Sequence, residues 1–280
     1  MVKRVLPPIV AVELYENDVI VKRAGGGSPH KEPPKRGDVR EFSRASRQRL
    51  AFVASNTSVT FRTLVTLTYP KEYPSDGRQV KRNLRAFLAW MRRNWPGCEY
   101  LWFLEFQQRG APHIHVLTDY PLPSKAAQLT MVRVQVAIRW ADICATGDPL
   151  HYKAGTRVEK LRSSRGGAHY AVKYAQKMQQ KRVPPDYRNC GRFWGHTPRV
   201  KPVPLQIRSC TELDVRQILD GWKYAPPDHM PVYRVLYNQS GYFAEYFEGT
   251  IAESLETLYN VAEQHQPGNT PLRAPSKKGG

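Results

Sequence analysis

The sequence predicts an α+β fold, a largely antiparallel sheet with helices packed on one face. Three observations carry this. Tyr100–Phe106 and His113–Leu117 are rich in aromatic and branched residues and are joined around Gly110 and Pro112, which reads as a hairpin. Ahead of them, Val80, Leu84, Phe87, Leu88, Met91 and Trp95 form one apolar helical stripe. Around both, the pattern runs strand–helix–strand–strand–helix–strand.

The elements follow in order. Residues 1–21 include a short strand, and 22–40, rich in Gly, Pro and charge, read as a flexible linker. Ser43 caps a basic helix ending near Asn56, whose arginines either touch phosphates or form a solvated face. Thr60–Tyr69 alternates branched and polar residues and is a central strand. After a loop over 70–77, Ser75 or Asp76 caps the striped helix, which Pro96 and Gly97 end. Beyond the hairpin, Ser124 starts a helix to about Trp140, and Thr156–Leu161 is a strand. Residues 168–181 read as a helix. Residues 188–198, RNCGRFWGHTP, set aromatics among arginines and glycines, either to stack on unpaired bases or to close the domain. A helix over Glu212–Trp222, a strand pair over Tyr233–Phe247 turning near Ser240 and Gly241, and an amphipathic helix over 251–265 follow. The tail from Gln266 is expected to be disordered. The resulting plan is an N-terminal segment and linker over 1–41, a main domain over 42–200, a small α/β extension over 201–265 and a tail over 266–280.

Charge points to a polyanion. The chain has 43 basic and 24 acidic residues, a net charge of +19, and nucleic acid is the simplest partner for such an excess. A membrane surface is the alternative, but no long apolar run or signal peptide is present, so cytosolic residence and no membrane partner are expected. Residues 153–201 hold thirteen Lys and Arg against Glu159 and Asp186, a net of +11, whereas 212–280 carry a net of −3. The polyanion is therefore expected near 153–201. The four cysteines are solitary, which argues against a zinc knuckle or a disulfide framework. With no GxxxxGK[ST] loop, no nucleotide cofactor is expected.

The chemistry sits in two places. If the hairpin loop is 109–111, Gln107 faces His113 and Glu105 faces His115, and all four side chains share one face. Two imidazoles and a carboxylate then make a mixed nitrogen and oxygen site for a divalent metal. A His-x-His pair alone is commonly packing or surface. Glu105 shifts the balance, because a carboxylate inside Leu-Trp-Phe-Leu-Glu-Phe is costly to leave unpaired. A histidine-triad hydrolase is excluded, since Leu117 stands at the third place. On the helix at 168–181, Tyr170, Lys173, Tyr174 and Lys177 share one stripe opposite Ala168, Ala171, Val172, Ala175 and Met178. The tyrosines are then off the packing face, either for chemistry or as a solvated surface.

Together these suggest phosphoryl transfer on nucleic acid. With a pKa near 10, roughly a thousandth of a tyrosine is ionised at neutral pH, so it needs a metal on the phosphate and a nearby lysine. A covalent 5′-phosphotyrosine keeps the energy of the cleaved diester and permits rejoining without ATP.

Three motifs resemble, in order, those of the HUH endonucleases, specifically rolling-circle replication initiators of small phages and plasmids: VTLTYP at 65–70, PHIHV at 112–116 and YAVKYAQK at 170–177. The resemblance spans about residues 60–195. It implies an RRM-like, ferredoxin-like HUH endonuclease domain. It further implies Mg²⁺ or Mn²⁺ at His113, His115 and Glu105, Tyr170 as nucleophile, Tyr174 as a second nucleophile or a packing residue, and Lys173 positioning the phosphate or metal. The implied activity is metal-assisted nicking of single-stranded origin DNA in a bacterial host cytoplasm, with a host helicase and DNA polymerase as partners. A single-strand transposase or relaxase is the alternative within the family, and a non-catalytic RRM-like nucleic-acid-binding protein the alternative outside it.

Overall fold

Two antiparallel neighbours of one buried strand, Thr63–Thr68, build the sheet on which the rest of the main unit is assembled. A computed structural model of the chain describes residues 9–15, 19–23, 37–161, 183–204, 206–211 and 235–237. They belong to two compact units, 33–202 and 1–32 together with 203–280. In chain order the elements are β1 (Ile9–Leu14), β2 (Val19–Arg23), α1 (Arg44–Asn56), β3 (Thr63–Thr68), α2 (Gly77–Asn94), β4 (Tyr100–Phe106), β5 (Pro112–Thr118), α3 (Ala126–Cys144), α4 (Pro149–Ala154), β6 (Thr156–Lys160), β7 (Trp194–His196), β8 (Gln206–Thr211) and β9 (Val235–Tyr237).

The larger unit is an α+β domain. Its five strands run in the order β6-β3-β5-β4-β7, every neighbour antiparallel. The first four have the order of a split βαβ, ferredoxin-like sheet, and β7 adds an edge. The other unit holds a sheet of order β8-β1-β2-β9, in which only the β2–β9 pair is parallel. The N-terminal strands thus share a sheet with strands from beyond residue 203.

Local signals place the helices of the main unit. Ser43 caps α1, its side chain accepting from the Ser46 N–H, and Asp76 caps α2 by accepting from the Arg78 N–H. All six residues of the predicted α2 stripe lie in the core beside Val65, Leu67, Trp102 and Ile114. Val132, Val136 and Trp140 of α3 pack into the same cluster. Helices do not confine themselves to one face, however. Leu50, Ala51, Val53 and Ala54 of α1 pack on the opposite face, against Leu64, Leu101, Phe103 and Leu117. Both faces of the central strands are therefore covered. That is why β4 is buried along its whole length, although a sheet covered on one side alternates.

Other boundaries differ from the sequence reading for local reasons. β3 stops at Thr68, short of Pro70, which has no N–H to extend a ladder. α3 begins at Ala126 after Lys125, which makes no side-chain cap bond, so Ser124 is not its cap. The stretch taken as a linker is ordered at both ends that are described. Lys22 and Arg23 lie in β2, and the Val39 N–H donates to the Arg188 carbonyl at 2.7 Å. The aromatics of 188–198 close the domain. Phe193 is buried, its carbonyl accepts from the Leu104 N–H at 2.7 Å, and Trp194 donates from Nε1 to Ser46 Oγ at 3.0 Å. Residues 212–234 and 238–280, with the helices and tail expected there, lie outside the described residues. No helix among the described residues is long and apolar enough to cross a membrane.

The short α4 has one position that only a glycine fits. The Gly155 carbonyl accepts from the Thr68 N–H at 2.8 Å, and its own N–H donates to the His151 carbonyl at 2.8 Å. A Cβ there would collide with the His151 ring. Gly155→Ala is expected to lower stability by about 1–3 kcal/mol through overpacking, measured by chemical denaturation. An unchanged midpoint would show that the ring has room to move.

Candidate metal centre

The hairpin β4–β5 closes on a three-residue loop, 108–110, one place earlier than 109–111. The Gly110 N–H donates to the Gln107 carbonyl at 2.8 Å, and the Gln107 N–H donates to the Ala111 carbonyl at 2.9 Å. Gly110 has φ +81°, the left-handed residue that follows a tight turn in loops of this length. Putting Gly110 last in the loop moves the register by two residues. Glu105 therefore pairs with His113, and Phe103 with His115. Because side chains alternate with period two, a two-residue slip leaves every residue on its face. Glu105, His113 and His115 still converge. Gln107 stays close, its Nε2 lying 3.5 Å from His113 Nδ1.

The neighbouring strand orients both imidazoles. Register places Thr66 beside His115 and Thr68 beside His113. Thr66 Oγ1 and His115 Nδ1 share a hydrogen bond of 3.2 Å, and Thr68 Oγ1 and His113 Nδ1 one of 3.0 Å. His115 also stacks on Phe103, with ring centroids 5.0 Å apart. The Glu105 carboxylate reaches His115 Nε2 at 3.5 Å. His115 is 1% exposed and Glu105 7%, whereas His113 is half-buried. The cluster is thus open on the His113 side.

Behind the threonines stands a second layer. The Thr68 carbonyl accepts from Trp140 Nε1 at 2.8 Å and meets His151 Nε2 at 2.9 Å. A carbonyl only accepts, so His151 carries its proton on Nε2 and takes the Thr146 hydroxyl on Nδ1, 3.1 Å away. Arg109 ties the hairpin loop to the end of β3. It donates to the carbonyls of Tyr69 at 2.7 Å and Pro70 at 2.8 Å, while the Tyr73 hydroxyl donates to the Arg109 carbonyl at 2.6 Å.

The donor set suits a divalent cation. Were Nδ1–H of each histidine to donate to its threonine, Nε2 would be left to ligate, the arrangement by which metal-binding histidines are oriented from behind. Among the described residues, no three His, Cys, Asp or Glu side chains are already arranged to hold a metal ion. Glu105 leans on His115 instead, and a cation would take the place of that contact.

The sequence-derived catalytic residues Tyr170, Lys173 and Tyr174 lie in 162–182, outside the described residues. Two nearby tyrosines are unsuited to attack. Tyr69 and Tyr187 are each 2% exposed, and burial raises both phenols above their ordinary pKa. The Tyr69 hydroxyl accepts from Asn83, and that of Tyr187 donates to the Pro74 carbonyl. Sequence reading placed Thr66 and Thr68 in the VTLTYP motif and Arg109 in the hairpin loop, but gave none of them, nor His151, a role at the site. The threonines left a trace, as the polar places of an otherwise apolar TLVTLT strand. Arg109 and His151 left none, since their partners lie far along the chain.

Fold and site together define a ferredoxin-like α+β domain with a His-x-His and glutamate cluster on one sheet face. Residues 62–179 match the family model of the replication-associated protein ORF2. That segment, under half of the chain, takes in β3 through β6 and the stretch bearing Tyr170, Lys173 and Tyr174. No curated protein and no solved structure matches the chain.

Because Arg109 bridges two loops, Arg109→Ala is expected to destabilise the domain by about 1–2 kcal/mol. Arg109→Lys should recover less than half of that, since an ammonium lacks the planar fork that reaches both carbonyls. Chemical denaturation of the three proteins checks this, and full recovery by lysine would reduce the role of Arg109 to charge alone.

Proposed function

We propose that this protein starts rolling-circle replication by cutting one strand of DNA at an origin through a tyrosine, leaving a 5′-phosphotyrosine and a free 3′-hydroxyl. The observation that carries the reading is the coincidence of the replication-associated family match with a Glu105–His113–His115 cluster inside it.

In this mechanism the hydroxyl of Tyr170 attacks the scissile phosphorus. The Tyr Oη–P bond forms as the P–O3′ bond breaks, and the proton lost by the phenol is matched by one gained at the 3′ oxygen. Lys173, one turn away on a helix, favours the tyrosinate and the phosphate charge. His113, His115 and Glu105 would hold a Mg²⁺ or Mn²⁺ ion, which when bound supplies Lewis-acid stabilisation of the charge developing on the phosphate. Thr66 and Thr68 keep the two rings in place, so the site needs little rearrangement as charge develops. Tyr174, also one turn from Tyr170, provides a second nucleophile for the cut that ends a round.

His113→Ala is the informative site variant, because His113 is half-buried, whereas changing His115 also opens a cavity. Nicking of a single-stranded DNA carrying the replicon's own origin should fall at least about a hundredfold, with the circular dichroism spectrum unchanged. Wild-type nicking in excess chelator would sink the metal assignment.

Covalent-adduct mass spectrometry locates the nucleophile. The adduct is expected on Tyr170 and lost in Tyr170→Phe, while Tyr174→Phe cuts once and terminates poorly. An adduct on neither tyrosine would remove the nuclease reading.

Binding should also depend on salt. With about six phosphates contacted on a single strand, affinity should drop roughly 300-fold between about 50 and 200 mM salt. A flat response in a titration would exclude a phosphate-dominated interface.

A further inference from the structure

At its outer edge, the sheet carries a groove of about 470 Å³ between α3, α4 and β6. Arg133, Lys153 and Arg157 line it, together with Tyr152, Val134 and Thr156. Arg157, Lys153 and Tyr152 are exposed, Tyr152 at 39%. Three cations beside an exposed ring are the elements with which a protein holds unpaired nucleic acid, the cations for the backbone and the ring for a base.

The groove meets the face of the candidate metal centre at Arg157, whereas Val158 beside it turns to the opposite face with α3. Arg157 pairs with Thr66 across β6 and β3, and Thr66 pairs with His115 across β3 and β5. Residues directly opposite on neighbouring strands share a face, so Arg157, Thr66 and His115 form one row across the sheet. Two strand spacings, about 10 Å between backbones, separate Arg157 from His115. Glu159 holds the Arg157 guanidinium at 2.7 Å in an exposed ion pair, an interaction that a phosphate can replace at little cost.

We infer that this groove is a subsite for the single strand flanking the scissile phosphate. Arg157 grips the phosphate nearest the histidines, Lys153 and Arg133 the following backbone, and Tyr152 stacks a base. The assignment of that strand as the one being cut rests on the nicking function proposed above. The exposed apolar residues Met131, Val134 and Ile138 on α3 leave an acidic protein segment as the competing occupant. The row that leads from Arg157 to His115 favours DNA.

The test uses the full chain and a fluorescein-labelled oligothymidylate of about 30 nucleotides, enough for more than one binding footprint. Anisotropy is read in excess chelator, so that neither metal nor cleavage contributes. Removing two phosphate contacts by Lys153→Ala with Arg157→Ala should lower the slope of log affinity against log salt by about 1.4. Arg78→Ala with Arg85→Ala, which removes equal charge from the outer face of α2, should change the slope by less than half as much. Tyr152→Ala should bind about fivefold more weakly or worse, and Tyr152→Phe should bind as wild type. Glu159→Gln should tighten binding more than Glu72→Gln does. Equal effects of the two double variants, or Tyr152→Ala binding as tightly as Tyr152→Phe, would overturn the subsite and return the groove to a protein partner. Loss of the nuclease reading does not affect these measurements. Failure of the groove likewise leaves the adduct experiment intact.

Discussion

The pairing of β3 with β5 is the constraint on which the site depends. It sets Thr66 beside His115 and Thr68 beside His113, and each threonine then engages the Nδ1 of its neighbour. A shift of one residue would turn both histidines into the core of the other face. The polar cluster and the apolar core are therefore specified together. The same alternation that sends Leu67 and Ile114 to one side sends Thr66 and His115 to the other.

That arrangement works against burial. Moving a carboxylate and an imidazole out of water costs several kcal/mol unless they are hydrogen-bonded and paired. Glu105 and His115 meet this by facing each other, with Thr66 behind the ring and Phe103 stacked on it. The support extends further back. Thr68 is held by Trp140 and His151 through one carbonyl, and Gly155 lacks the side chain that would push His151 away. The face on which the histidines stand is also packed by α1, over Leu64, Leu101, Phe103 and Leu117.

The features legible from the chain were those whose cause is local. The α2 stripe, the caps at Ser43 and Asp76 and the hairpin itself follow from the spacing and chemistry of adjacent residues. Convergence of Glu105, His113 and His115 was also legible, because parity along a strand survives an error of two in register. The register itself was not, since it turns on whether Gly110 stands in the middle or at the end of the loop. Phe193 was open to two readings because a short aromatic stretch looks the same over DNA or over a core.

What lay beyond the chain's own pattern involves partners distant in sequence. Arg109 reaches carbonyls some forty residues earlier, and His151 reaches back to Thr68 across α3. The seating of α1 on the second sheet face belongs here too, as its moderate amphipathicity does not say which surface will receive it. So does the alignment of Arg157 with His115, which needs two strand pairings at once. Spacing along the chain sets which side chains share an element and a face. Which elements meet, and in what register, is decided by packing and hydrogen bonding between segments that the sequence keeps far apart.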